Sequence, residues 1–121
     1  AVRAIVEQKD ATEAQRSEVR RIAAAAAADL KVEREAGRAL RERQLQLFTQ
    51  PTVDAGAVES LRREMLVQHD RSSRRMTQAM VEASRVLTPE QRAQLAERMK
   101  ARRDMMQRHH RERRDLDGHQ G

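Results

Sequence analysis

Cysteine, tryptophan and tyrosine are absent from this chain of 121 residues, and phenylalanine occurs once, at Phe48. Without cysteine there can be no disulfide and no thiolate metal site. With one aromatic ring, and with 19 alanines inside an apolar fraction of 38%, the chain lacks the bulk for a thick globular core. The Val/Ile-rich runs that buried strands require are missing, which excludes sandwiches and doubly wound sheets. No apolar run approaches the ~18 residues of a membrane span, so stable membrane insertion of these residues is not expected. There is no glycine-rich phosphate loop, no serine-centred motif and no nucleophile–base arrangement, and the chain is expected not to be an enzyme.

What the chain does hold is Ala, Glu, Arg, Leu and Gln, the composition of long helices. Prolines occur only at Pro51 and Pro89. Apolar or small residues recur at Val19, Ile22, Ala26, Leu30, Ala36 or Gly37, Leu40 and Leu47, which is helical spacing along a narrow stripe. This predicts a first helix over about residues 10–48, roughly 60 Å long. Thr49-Gln50-Pro51-Thr52-Val53 interrupts it, and Asp54 is a good N-cap for a second helix over about 54–86. The second stripe, through Val58, Leu61, Met65, Ser72, Met76, Ala79, Ala83 and Val86, alternates steps of three and four as in a coiled-coil seam, with a polar step near Gln68 and His69. Two long helices joined by a short loop predict an antiparallel hairpin.

The clearest local signal is Leu87-Thr88-Pro89-Glu90-Gln91. Thr88 is an N-cap, Pro89 takes the first helical position, and Gln91 can reach back to the cap backbone, completing a capping box. A third helix over about 88–113 follows, then a polar tail at 114–121. The expected fold is thus all-α, one domain over residues 1–121. A weaker copy of the box, Ala11-Thr12-Glu13-Ala14-Gln15-Arg16, opens the first helix.

Leu87 to Gln91 matches the LTxxQ signature, and the chain resembles the Spy/CpxP family of periplasmic proteins, which includes the ZraP/CnrX heavy-metal resistance and sensor branch. Members carry two such boxes, one opening the first long helix and one opening the last. Here Leu87, Thr88, Pro89 and Gln91 form the intact box, while Thr12 and Gln15 survive in the first, with Ala11 in place of leucine. The resemblance covers roughly residues 10–107. It implies a hook-shaped protomer pairing into a curved homodimer in the periplasm, reached by a signal peptide or N-terminal anchor outside these residues. It also implies one of two roles. One is an ATP-independent chaperone for unfolded or misfolded proteins under envelope stress. The other is a metal-binding sensor or adaptor acting with a membrane sensor protein. The unbroken first helix is more like the CnrX branch, whereas the lack of a histidine-rich segment before the first box departs from the metal sensors. Uncovered stripe on two long helices independently suggests a symmetric pair.

The net charge of +6 has a definite place. Residues 98–114 carry eight basic side chains against two acidic ones, an excess equal to that of the whole protein, and the remainder of the chain is balanced. Arg98, Met99, Lys100, Arg102, Arg103 and Met106 are therefore the expected client-binding residues. Arginine stems cover apolar area while their heads attract acidic segments, and methionine adapts to varied partners. Met105/His109 and Met106/His110 are i, i+4 pairs that suit Zn, Ni, Co or Cu. These four residues are the expected metal ligands if metal is bound, and no cofactor is otherwise required. Nucleic acid is not an expected partner, because no aromatic interleaves the arginines for base stacking.

Overall fold

The computed structural model describes residues 2–8 and 10–120. It contains a short α1 (Val2–Val6) and three long helices, α2 (Glu13–Phe48), α3 (Ala55–Val86) and α4 (Pro89–Gln120), with no strand among the described residues. Each long helix starts where a side chain replaces the missing backbone acceptors. The Thr12, Asp54 and Thr88 carbonyls accept the first intrahelical bonds, from the Arg16, Val58 and Arg92 amides, at 3.0 Å in each case. At α3 the Asp54 Oδ1 also accepts from the Ala57 amide at 3.1 Å. At the far end of α2, Thr49 Oγ1 and Gln50 Nε2 both donate to the Gln46 carbonyl, at 3.1 and 3.0 Å, before Pro51.

Two features differ from the sequence-based expectation. The first long helix begins at Glu13 rather than near residue 10, and α1 precedes it. The last helix continues through residues 114–120, where a polar tail was predicted. Gly118 is its one weak point, in open space, and a single exposed helical glycine costs only about 1 kcal/mol relative to alanine. Gly121 lies outside the described residues.

The chain divides into two compact units, Arg20–Ala83 and Ala1–Val19 with Ser84–Gly121. Within Arg20–Ala83, α2 and α3 form an antiparallel hairpin. Arg43 pairs with Glu64 at 2.8 Å, Glu33 with Arg71 at 3.3 Å and Asp29 with Arg75 at 2.7 Å, so positions descend on one helix as they ascend on the other. Ile22, Ala26 and Gly37 of α2, and Leu61 and Ala79 of α3, are buried along the seam. The middle of the seam is polar. Gln68 Nε2 donates to the Glu33 carbonyl and to Ser72 Oγ, both at 2.9 Å. Gly37 is what admits Gln68, since a Cβ there would stand 3.1 Å from Gln68 Oε1. The polar step read near Gln68 and His69 thus belongs to Gln68, while His69 is exposed.

Candidate functional site: paired capping boxes and a basic helix face

Both capping boxes form within the second unit, and they form alike. Thr12 Oγ1 accepts from the Gln15 amide at 3.1 Å, and Gln15 Oε1 accepts from the Thr12 amide at 2.9 Å. Thr88 and Gln91 repeat the exchange at 3.2 and 2.9 Å. Each glutamine then reaches across to the other box. Gln15 Nε2 donates to Gln91 Oε1 at 2.9 Å, and Gln91 Nε2 donates to Gln15 Oε1 at 3.2 Å. The second proton of each amide goes to the backbone two residues before the opposite threonine: Gln15 to the Val86 carbonyl at 3.1 Å, Gln91 to the Asp10 carbonyl at 3.2 Å.

Both amides therefore use two donors and two acceptors, the full capacity of the group. A carboxylate could close either capping box but has no proton for the other box. The paired arrangement is thus specific to glutamine. Ala11 and Leu87, the first residues of the two boxes, are both buried, so the smaller residue of the first box keeps the same inward place.

α1 and the turn after it complete this unit, and sequence reasoning missed them. α1 packs against α4. Ile5 is buried, and Gln8, only 1% exposed, donates from Nε2 to the Gln91 carbonyl at 2.9 Å. Arg16 in turn donates from Nη2 to the Gln8 carbonyl at 3.1 Å. The sequence signal for this segment is a single turn's worth of apolar spacing, Val2, Ile5 and Val6, too short to distinguish from chance.

Beyond Leu95, α4 is open to solvent, every residue from Ala96 to Gly118 being exposed. Its charge is nonetheless ordered. At 100° per residue, Arg98, Arg102, Arg103, Arg113 and Arg114 share one half of the helix with Leu95, Met99, Met106 and Leu116. Between Leu95 and Asp117, that half holds one acid, Asp117, whereas the opposite half mixes Lys100, Arg108 and Arg111 with Glu97, Asp104, Glu112 and Asp115.

A groove of about 980 Å³ runs along α4 beside the end of α1. Of the expected client-binding residues, Arg98, Met99, Arg102, Arg103 and Met106 line it, and Lys100 does not. Of the expected metal ligands, Met105, Met106 and His110 line it, and His109 does not; His109 Nδ1 lies 3.9 Å from Glu112 Oε2. Among the described residues no three His, Asp or Glu side chains are placed to hold a metal ion together. Thr12, Gln15, Leu87, Thr88, Pro89 and Gln91 build the paired boxes above. Among the described residues no helix is long and apolar enough to cross a membrane.

No curated protein and no solved structure matches this chain. The profile of the LTXXQ motif family does match, over residues 2–99, a span that holds both boxes, the hairpin and the segment before the first box. The chain belongs to the LTXXQ motif family, the family of Spy/CpxP-type periplasmic proteins.

Proposed function

We propose that this protein works in the periplasm as an ATP-independent chaperone that captures unfolded or misfolded proteins during envelope stress. The observation that carries this reading is the uncovered basic half of α4, where exposed methionines alternate with arginines. Met99 is 45% exposed and Met106 72% exposed. Long-range attraction would draw in acidic unfolded segments, and polarisable side chains would then hold apolar ones without demanding a single shape. No residue is catalytic in this scheme. The paired boxes serve as the rigid base from which α4 projects.

A homodimer belongs to the same proposal. It is supported by apolar side chains left open on α3, where Leu66, Met76 and Met80 are each about half exposed. Sedimentation equilibrium tests it, with a monomer at micromolar concentration as the contrary result.

The functional test is suppression of aggregation of a chemically denatured client without ATP. Suppression should appear at or below equimolar ratio, weaken at high salt, and weaken again in an Arg102→Gln/Arg103→Gln variant. No suppression at any ratio overturns the chaperone reading. A metal-responsive sensor or adaptor role has one observation in its favour: Met106 and His110, a helical turn apart, both line the groove. Calorimetric titration with Zn, Ni, Co and Cu tests it. Binding that is lost in a Met106→Leu/His110→Ala variant supports it, and absence of heat with all four ions removes it.

A further inference from the structure

We infer that residues Val2–Gln8 form a releasable strap that occupies one end of the α4 groove and presents Glu7 there as an internal acidic occupant. The inference rests on the proposed client-binding face of α4, whose Arg98, Met99, Arg102, Arg103, Met106 and Arg114 line this groove. Two independent observations carry it. The first is placement: Glu7 is the one acidic residue lining a groove whose other charged side chains include Arg98, Arg102, Arg103, Arg111 and Arg114. The second is attachment. The strap is held through the residue next to Glu7. Gln8 is buried and donates to the Gln91 carbonyl at 2.9 Å, and its own carbonyl receives Arg16 Nη2 at 3.1 Å.

The attachment is weak by design of its hydrogen bonds. Among the described residues Gln8 Oε1 and Arg16 Nε are both buried without a partner, so the docked strap leaves a donor and an acceptor unpaired there. α1 is a single turn of five residues, too short to hold its helix unaided. Undocking would hydrate both groups and take the one negative charge out of the groove. An acidic unfolded chain would then meet these arginines without a like charge beside them, and the strap sets a threshold for capture.

The test uses the full chain and a fluorescein-labelled unfolded peptide alternating Glu and Leu. Affinity is measured at low and high salt, and amide hydrogen exchange is followed in parallel. Glu7→Gln should tighten binding about threefold at low salt, an effect that fades at high salt. Glu90→Gln, which removes the same charge from the first turn of α4 outside the groove, should change it far less. Gln8→Ala should speed exchange at the Glu7 and Ala11 amides, leave exchange in α3 unaltered, and tighten binding at least as much as Glu7→Gln.

Equal effects of Glu7→Gln and Glu90→Gln would overturn the strap, as would faster exchange in Gln8→Ala with unchanged affinity. A parent protein that binds weakly beside a Gln8→Ala variant that binds well supports it. If neither the parent nor any variant binds the peptide, both the strap and the client-binding reading fail. If the parent binds and no variant differs from it, only the strap fails.

Discussion

Gln15 and Gln91, 76 residues apart, hold one another by both ends of their side-chain amides, with Nε2 to Oε1 distances of 2.9 and 3.2 Å. Each also closes the capping box of its own helix. The two helix starts are thereby fastened by groups that are already occupied locally. The pair turns two ordinary N-caps into one joint. Within such a joint, losing one partner strands buried donors and acceptors on the other.

Replacing either glutamine by glutamate should separate the two roles. Gln91→Glu keeps an acceptor for the Thr88 amide but supplies no protons for Gln15 or the Asp10 carbonyl. We expect a loss of about 2–3 kcal/mol at neutral pH, measured by denaturant unfolding. Gln91 is 4% exposed, so the introduced carboxyl would be buried and its pKa raised in the folded state. The sign follows: the variant's stability relative to its parent is best below the ordinary carboxylate range and falls as pH rises through the raised value. A pH-independent difference would contradict the donor argument.

The coupling itself is measurable. Gln15→Ala and Gln91→Ala should each destabilise by about 2–3 kcal/mol, while the double variant falls short of their sum by about 1 kcal/mol or more. Strict additivity in that cycle would mean the cross-box contact contributes nothing.

The caps taken alone are worth less. Thr88→Ala removes the acceptor for the Gln91 amide and should cost about 1 kcal/mol, with Thr12→Ala similar. An unchanged unfolding midpoint in either variant counts against that assignment.

Gly37 gives a prediction with two opposing terms. Alanine there gains about 1 kcal/mol of helix propensity. Its Cβ would also lie 3.1 Å from Gln68 Oε1, and the Gln68 amide is held at 2.9 Å by both the Glu33 carbonyl and Ser72. Gly37→Ala should therefore be no more stable than the parent. In a Gln68→Ala background the same change should recover the full propensity gain. Equal gains in both backgrounds would show that Gln68 moves aside freely.

Among surface pairs, Glu59 and Arg62 are the informative case. Arg62 bonds both Glu59 oxygens, at 2.6 and 2.8 Å, and these bonds hold the carboxyl below its usual pKa. A depressed folded pKa contributes stability above the ordinary carboxylate range and loses it as pH falls through the depressed value. The pair is open to solvent, so the contribution is small. Thermal unfolding of Glu59→Gln and parent should differ slightly at neutral pH and converge in acid; a gap that widens in acid would refute the assignment.

Much of this protein follows from sequence because its determinants are local. Thr12, Asp54 and Thr88 begin helices through contacts with residues three or four positions away, and Leu61, Met65, Ser72 and Ala79 of the predicted stripe mark the face α3 turns to α2, whereas Met76 of the same stripe is left half exposed. Charge order on α4 is likewise a matter of helical period, and the two boxes could be recognised as copies of one motif. The extension of α4 through residues 114–120 is not legible in the sequence, because an exposed glycine and a polar composition weigh against a helix without forbidding one.

Only the tertiary structure decided that the boxes are partners. Nothing within either box says where the two Nε2 protons of Gln15 or Gln91 go, since a capping box is complete with the amide oxygen alone. The docking of Gln8 on the Gln91 carbonyl, across 83 positions, is equally invisible to any local pattern. Helix starts are legible because they depend on neighbours in the chain. The joint and the strap depend on backbone groups that only folding brings within hydrogen-bond reach.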